Sequence, residues 1–363
     1  MWDPNGSLPD EFLTLPFQVY ADDPLWHPEG SQSVGFSFSS HNPYFLKSKA
    51  WVGVDAGKAR LAGFHDPDLR IDGVKVAYFG FWESFDELAP NKKLFSDFEA
   101  WAKSMGAEKV YGPINFSTFS SYRIRLNTFS GGAFPGEPYN PGYYASLLEQ
   151  LGYSCFQKYI SQMLEMGTTA EKVERKKSSF RIAPEAEAYS FELMDGPMML
   201  QALPEIYEMV DAIFGNNLGY TPIPYELFAM ACGQPYAKRL CKKTSVMVRS
   251  PEGELAGVFL TFPDYGPLVA QGHPEAKPLS EISFDIDFER LETKSLLMKT
   301  VGVSPKFRKL GLHNKMLLHL VEEGNKHYSH GVGALISEGN PSARFFSDIT
   351  TELRKYGLYV KEL

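Results

Sequence analysis

Late in the chain, Val301-Gly302-Val303-Ser304-Pro305-Lys306-Phe307-Arg308-Lys309-Leu310-Gly311-Leu312-His313 joins an apolar strand-like segment to an apolar helical one. A loop that opens a helix leaves several backbone N–H groups without intrahelical partners, and they converge with the positive end of the helix dipole. Such a mouth suits a pyrophosphate. Gly311 would let the backbone approach phosphate oxygens with no Cβ in the way, and Arg308 and Lys309 add positive charge nearby. The same residues also fit an ordinary strand–helix turn, so the loop has to be weighed with its surroundings.

Other residues of suitable type stand elsewhere. Glu83 closes an apolar strand-like run, and a carboxyl desolvated there would have its pKa raised, which makes it the best candidate of the first half. Tyr139, Tyr143 and Tyr144 could line a cleft facing a second domain, or simply pack at a helix start. Asp285, Asp287 and Glu289 alternate with Phe284, Ile286 and Phe288. With a period of two, that segment is a strand carrying three carboxylates on one face, either solvated or fit to attract a cationic amine.

Composition bounds what these groups can serve. The 363 residues suit two domains, and 44% hydrophobic with 14% aromatic residues can bury two full cores. A net charge of −8 argues against nonspecific nucleic-acid binding. Cys155, Cys232 and Cys241 form no CxxC pair and no cluster with the eight histidines, so neither disulfides nor a metal site is expected. Met1-Trp2-Asp3-Pro4 opens no charged region followed by an apolar stretch, and no apolar run nears the roughly 20 residues that span a bilayer. The expectation is a cytoplasmic protein without a membrane partner.

The elements that would position these residues come in the same order twice. In the first half, residues 50–54 and 59–64 flank Asp55-Ala56-Gly57-Lys58 as a hairpin, and residues 74–82 are a β-branched and aromatic central strand. Phe95, Phe98, Trp101, Ala102 and Met105 then show helical spacing closed by Gly106. Val110-Tyr111 is a short strand, and residues 143–151 a helix stopped by Gly152. In the second half, residues 190–193 are a strand, 204–214 and 225–232 helices, and 244–249 with 257–262 a hairpin. Residues 295–303 are a strand, 313–327 a long helix and 333–337 a strand. Between the halves, residues 168–184 hold the charged run Glu171-Lys172-Val173-Glu174-Arg175-Lys176-Lys177 with few core anchors. The run could also be an exposed helix end, but residues 168–184 are expected to be a linker between domains 1–167 and 185–363.

In that setting Val303-Ser304-Pro305 followed by Arg308-Lys309-Leu310-Gly311-Leu312-His313 resembles motif A of the GNAT N-acyltransferase superfamily. Glu338-Gly339-Asn340-Pro341-Ser342-Ala343-Arg344-Phe345-Phe346 resembles its motif B. Tyr78-Phe79-Gly80-Phe81-Trp82-Glu83, Gly112-Pro113-Ile114-Asn115-Phe116-Ser117-Thr118 and Tyr139-Asn140-Pro141-Gly142-Tyr143-Tyr144 look like the N-terminal half of two-domain bacterial members. The resemblance implies an α/β protein of two tandem GNAT-like domains, each a mixed, mainly antiparallel central sheet flanked by helices. It implies a transferase that moves an acyl group to the amine of a small molecule, as in biosynthesis. The donor would be acetyl-CoA or another acyl-CoA, or phosphopantetheine on an acyl carrier protein. The alternative is a non-catalytic tandem module that binds a CoA compound or a protein partner.

By the same resemblance Val301, Val303, Arg308, Lys309, Leu310, Gly311, Leu312, His313 and Asn340 would hold the donor, with a strand N–H near Val303 polarising the thioester carbonyl. Glu338, where the two central strands should splay, would be the general base, or else a solvated strand-end carboxylate. Tyr220 lies in the stretch that often shapes acceptor choice in this family, where it would line the acceptor site or else wedge into the core; with Asp285, Asp287 and Glu83 it completes the substrate-binding candidates. Two positions depart from the pattern. His313 replaces a small residue of the loop. Ser347 stands where a tyrosine often protonates the leaving thiolate, and serine is a poorer acid of shorter reach. In the first half Glu83, Asp86 and Glu87 take the place of the phosphate loop and would repel pyrophosphate. That domain is expected to be a copy without donor binding.

Overall fold

An apolar strand with no polar face must be covered on both sides, and two such strands organise the chain. They are Val74–Ser84 and Leu255–Pro263, both mostly buried. In the computed structural model, which describes residues 1–55, 57–215, 220, 222–340 and 342–363, each lies in its own unit. The first unit comprises residues 1–159, 266–278 and 355–363, and the second 160–265 and 279–354.

In the first unit Lys49–Asp55 pairs antiparallel with Ala59–His65, and that strand with Val74–Ser84. Ala56, in the turn expected between the first two, lies outside the described residues. The helix Leu88–Ser104 returns the chain so that Lys109–Gly112 runs parallel to Val74–Ser84. It buries Leu94, Phe95, Phe98, Trp101 and Ala102, one stripe at helical spacing. Gly63 must be glycine beneath it, since a Cβ there would overlap the Phe98 ring. A second helix, Tyr144–Gln150, follows. The other edge of Lys109–Gly112 takes a strand from the far end of the chain, with Tyr359 opposite Gly112 and Glu362 opposite Lys109.

The second unit repeats the plan. Ser190–Leu193, Val246–Arg249, Leu255–Pro263 and Ser295–Val303 form an antiparallel run. The helix Leu312–His327 then crosses over to set His330–Ser337 parallel to Ser295–Val303. Its Leu312, Met316, Leu320 and Val321 join Val246, Val248, Phe259 and Leu296 in one core. Burying one such side chain contributes ~1.5–3 kcal/mol, so packing rather than propensity fixes this helix.

Two expectations are corrected here. Residues 168–184 are not an exposed connection. Met166–Lys176 is a helix that buries Met166, Thr169, Lys172 and Val173, and Phe180 and Ile182 pack on the same core. Its charges sit on the outer face, which in sequence looks the same as a linker. The chain divides after Tyr159 instead, and two late segments fold into the first unit. Residues 284–290 form no strand: Phe284–Asp287 is a helical turn and Phe288–Arg290 a 3-10 turn. Phe284 and Phe288 stack at 4.9 Å, and residues four apart satisfy a helical period as well as a period of two.

Candidate functional site

The parallel pair of the second unit keeps register for four residues, from Ser295 opposite His330 to Met298 opposite Gly333. Beyond Met298 the first strand stays on Leu255–Pro263, with Val301 opposite Phe259 and Val303 opposite Gly257. Among the described residues no strand pairs with its other edge there. His330–Ser337 turns off at Leu335, left-handed at φ 54°, whose N–H donates to Ser161 Oγ at 3.1 Å. Two parallel strands thus part at their C-terminal ends, which is where open α/β sheets take ligands.

The loop that follows Ser295–Val303 begins with the 3-10 turn Pro305–Phe307, and Lys309 and Gly311 are left-handed at φ 80° and 76°. Among the described residues the backbone N–H groups of Lys309, Leu310, Gly311, Leu312 and His313 donate to no protein group. They open a 16-residue helix whose dipole adds positive potential, and Arg308 and Lys309 are exposed beside them. These residues fit a phosphate ester. His313 stands at the helix start, where desolvation of its ring lowers its pKa.

Gly311 is required for a reason that the sequence does not show. A Cβ on it would overlap Arg181 O and stand 2.9 Å from Ile182 Cα. The Ala183 N–H donates to Leu310 O and Asn314 Nδ2 to Arg181 O, both at 3.0 Å, so residues 181–183 are tied against the loop. Nothing local in the sequence marks them as its neighbours.

Val301 is exposed and Val303 partly buried. Gly302 between them lies under the helix Leu203–Phe214, where a Cβ would stand 2.7 Å from Ile213 Cδ1. The Tyr220 hydroxyl donates to Asp211 of that helix at 3.0 Å; Gly219 and Thr221 beside it lie outside the described residues. Glu338 and Asn340 are exposed just past His330–Ser337, at the same end of the parallel pair as the loop. Asn340 Oδ1 accepts from the Ser342 N–H at 3.0 Å and its hydroxyl at 2.8 Å, while Pro341 lies outside the described residues. Ser347 is exposed, and its hydroxyl donates to Arg344 O at 2.9 Å. The buried Lys172, from the stretch expected to be a linker, anchors this turn. Its ammonium donates to Phe345 O at 2.5 Å and pairs with Asp348.

Asp285 and Asp287 do not reach the site, contrary to expectation. Phe288 packs on Tyr328 (ring centroids 5.6 Å), just past the C-terminal end of Leu312–His327. The loop is at the other end of that helix, ~24 Å away at 1.5 Å per residue. Asp285 pairs with Lys242 at 2.6 Å. Asp287 is buried and accepts from the Ser283 N–H at 2.9 Å and Arg290 Nη1 at 3.1 Å, so its carboxylate fastens the turn.

In the first unit the parallel pair, from Val76 opposite Lys109 to Tyr78 opposite Tyr111, parts in the same way, but the gap is filled. Asn115 Oδ1 accepts the Phe81 N–H at 2.7 Å, and a Cβ on Gly80 would stand 2.5 Å from that oxygen. Phe81 and Phe116, both left-handed, pack together with Phe38 and Phe64. Just beyond, Glu83 Oε2 accepts from the hydroxyls of Tyr20 at 2.9 Å and Tyr144 at 2.7 Å. Burial pushes its pKa up to about 7, against the opposing charge of Arg60. Tyr143 donates to Ser84 O and Tyr139 to Asp23, both at 2.7 Å. Tyr20, far away in sequence, was not foreseen. Among the described residues no group of three or more His, Cys, Asp or Glu could hold a metal ion, and no helix is long and apolar enough to cross a membrane.

No family model matches the sequence. A tandem GNAT protein from the clavulanic acid biosynthesis pathway superposes with a TM-score of 0.52 at 11% identity, over 97% of this chain and 94% of that one. A conserved protein of unknown function from Enterococcus faecalis V583, described as a probable N-acyltransferase, gives 0.49 at 8% identity, over 98% and 71%. In sequence, Protein YghO of Escherichia coli K12 is 30% identical over 147 residues, which cover 39% of this chain and 38% of that protein. The match therefore spans well under half of that curated relative.

Proposed function

We propose that this chain, whose fold is of the tandem GNAT type, is an acyltransferase acting from its second unit. It would move an acyl group from a CoA or carrier-bound pantetheine thioester to the amine of a small molecule. One observation carries the reading: two parallel strands part at the end of the sheet where N–H groups without a partner among the described residues, and two exposed cations, open a helix. In the reaction the amine nitrogen attacks the thioester carbonyl carbon. The C–N bond forms, the C–S bond breaks, the nitrogen loses a proton and the thiolate gains one.

Arg308 and Lys309 would hold the donor's phosphates by charge, and residues 309–313 by their N–H groups. The free edge of residues 301–303 would polarise the carbonyl, an effect of ~3–4 kcal/mol per donor in a site shielded from water. Asn340 would border the donor, Glu338 would take the amine's proton, and Tyr220 would line the acceptor side. Because the Ser347 hydroxyl is engaged with Arg344 O, we assign protonation of the thiolate to solvent. The first unit, its gap filled by Asn115 and Phe116, would bind no donor.

A second reading is a tandem module that binds a CoA compound without turning it over, and the engaged Ser347 favours it. Calorimetry with acetyl-CoA, CoA and phosphopantetheine, followed by thiol release with a panel of amines, separates the two. A thioester that binds, weakens at least tenfold in Arg308→Ala, and releases thiol only with amine supports the enzyme. Binding without release leaves the module, and no binding at all would sink both.

A further inference from the structure

One buried cation of the first unit lacks a counter-charge. Of the buried arginines among the described residues, Arg60 pairs with Glu29 at 2.6 Å, Arg125 with Glu137 at 2.8 Å and Arg354 with Glu352 at 2.6 Å. Arg123, only 7% exposed, has no such partner. Its guanidinium carbon stands 3.7 Å from the centre of the Tyr122 ring and 3.9 Å from that of Tyr159. Those rings meet at 90° with centroids 6.0 Å apart, so the cation sits in a corner of π faces.

Ring contacts stabilise the charge but do not replace the hydrogen bonds of its donors. Nε and Nη1 are buried and donate to no protein atom among the described residues. The groups that bear on the charge are the Tyr159 and Tyr356 phenols. Tyr356 is itself bonded to Glu137, which already holds Arg125. Burial lowers the pKa of Arg123 to about 10, so the group is still a cation at neutral pH. Its backbone is left-handed at φ 80°, held by the Arg123 N–H to Pro113 O at 2.9 Å and by the Ile114–Tyr122 bridge. A buried, unpaired charge on a strained backbone is destabilising unless something completes it.

We propose that Arg123 anchors an oxyanion-binding site in the first unit, its in-plane donors taking a carboxylate or phosphoryl group of a ligand. The planar fork of a guanidinium matches both groups, and the two tyrosine rings flank it. This gives the stretch that includes residues 112–118 a task separate from the donor loop. It does not depend on the second unit's activity.

The test uses the full chain carrying Arg308→Ala, which weakens anion binding at the donor loop. Thermal melts at constant ionic strength replace chloride by inorganic phosphate or by acetate. Phosphate also stabilises proteins nonspecifically, without saturating and equally in all variants. The expected result is a saturable rise in midpoint that Arg123→Met abolishes and that Arg123→Lys, lacking the fork, shifts to at least tenfold higher anion concentration. Saturation with phosphate alone assigns a phosphoryl ligand, and with acetate alone a carboxylate. A rise unchanged in Arg123→Lys, or no saturable rise in the parent, overturns the proposal. The lysine variant decides the matter if the methionine variant does not fold.

Discussion

Replacing Gly311 by alanine should weaken the support of the loop proposed to hold the donor, even where no ligand is present. At φ 76° a residue with a Cβ costs ~1–2 kcal/mol more than glycine. The added Cβ would also overlap Arg181 O and crowd Ile182 Cα at 2.9 Å, so residues 181–183 must retreat. Retreat breaks the bonds from the Ala183 N–H to Leu310 O and from Asn314 Nδ2 to Arg181 O, each ~0.5–1.5 kcal/mol. It also loosens Ile182 from the core. Together these come to about 3 kcal/mol, which for a unit of this size lowers the midpoint by ~6–12 °C. Calorimetric melts of ligand-free wild type and Gly311→Ala measure this, with hydrogen exchange at Ala183 as the local readout. A variant that melts within ~2 °C of wild type and keeps slow exchange at Ala183 would refute the packing account. Gly311 would then be needed only for the approach of phosphate.

Three other substitutions probe separate parts of the structure. Because the folded Glu83 carboxyl titrates at about 7 and an ordinary one at 4.5, the folded chain holds a proton there that the unfolded chain has released. Stability should therefore fall as pH rises from ~4.5 through ~7, by at most about 3 kcal/mol. Glu83→Gln should lose that slope and melt above wild type at pH 8; a midpoint no higher than wild type at pH 8 would exclude a protonated, buried carboxyl. Lys172→Met keeps the apolar stem but loses the charged bond to Phe345 O, at a cost of ~1.5–3 kcal/mol, and should speed amide exchange over residues 342–348. Asp287→Ala removes the buried carboxylate that holds the Ser283 N–H and the partly exposed Arg290, and should cost ~1–3 kcal/mol by denaturant titration while leaving donor affinity unchanged, since it sits at the far end of the helix from the loop.

Elements with strong periodicity were legible in the sequence. The stripe from Phe95 to Ala102 and the apolar runs at residues 74–82 and 295–303 became the helix and the two strands they suggested. The failures have physical causes. Phe284, Ile286 and Phe288 are too few to separate a period of two from one of 3.6, and the stacked phenylalanines settled the choice. Pairing between the last strand and Lys109–Gly112 joins residues about 250 apart, and no local pattern encodes such a partner. Lys172 was hidden among exposed charges, because burial of one lysine depends on where Phe345 and Asp348 end up.

The candidate site was read in the sequence as a loop, and the parting of the two strands only through the family resemblance. The resemblance at residues 301–313 concerns the loop's own backbone and charges, and residues 181–183 against Gly311 lie beyond its reach. The two units make the same point by contrast. Both part a parallel pair of strands after a crossover helix. In the first, one side-chain oxygen, Asn115 Oδ1, takes the Phe81 N–H, and the rings of Phe81 and Phe116 pack beside it. In the second, the edge beyond Met298 pairs with no strand among the described residues, and Ile213 of the helix Leu203–Phe214 lies over Gly302. A strand N–H already bonded to a side chain has little to offer a developing oxyanion, because breaking that bond offsets what the new one contributes. The difference in chemistry proposed for the two units would therefore follow from whether that edge is already bonded, with the acidic residues at 83, 86 and 87 second to it.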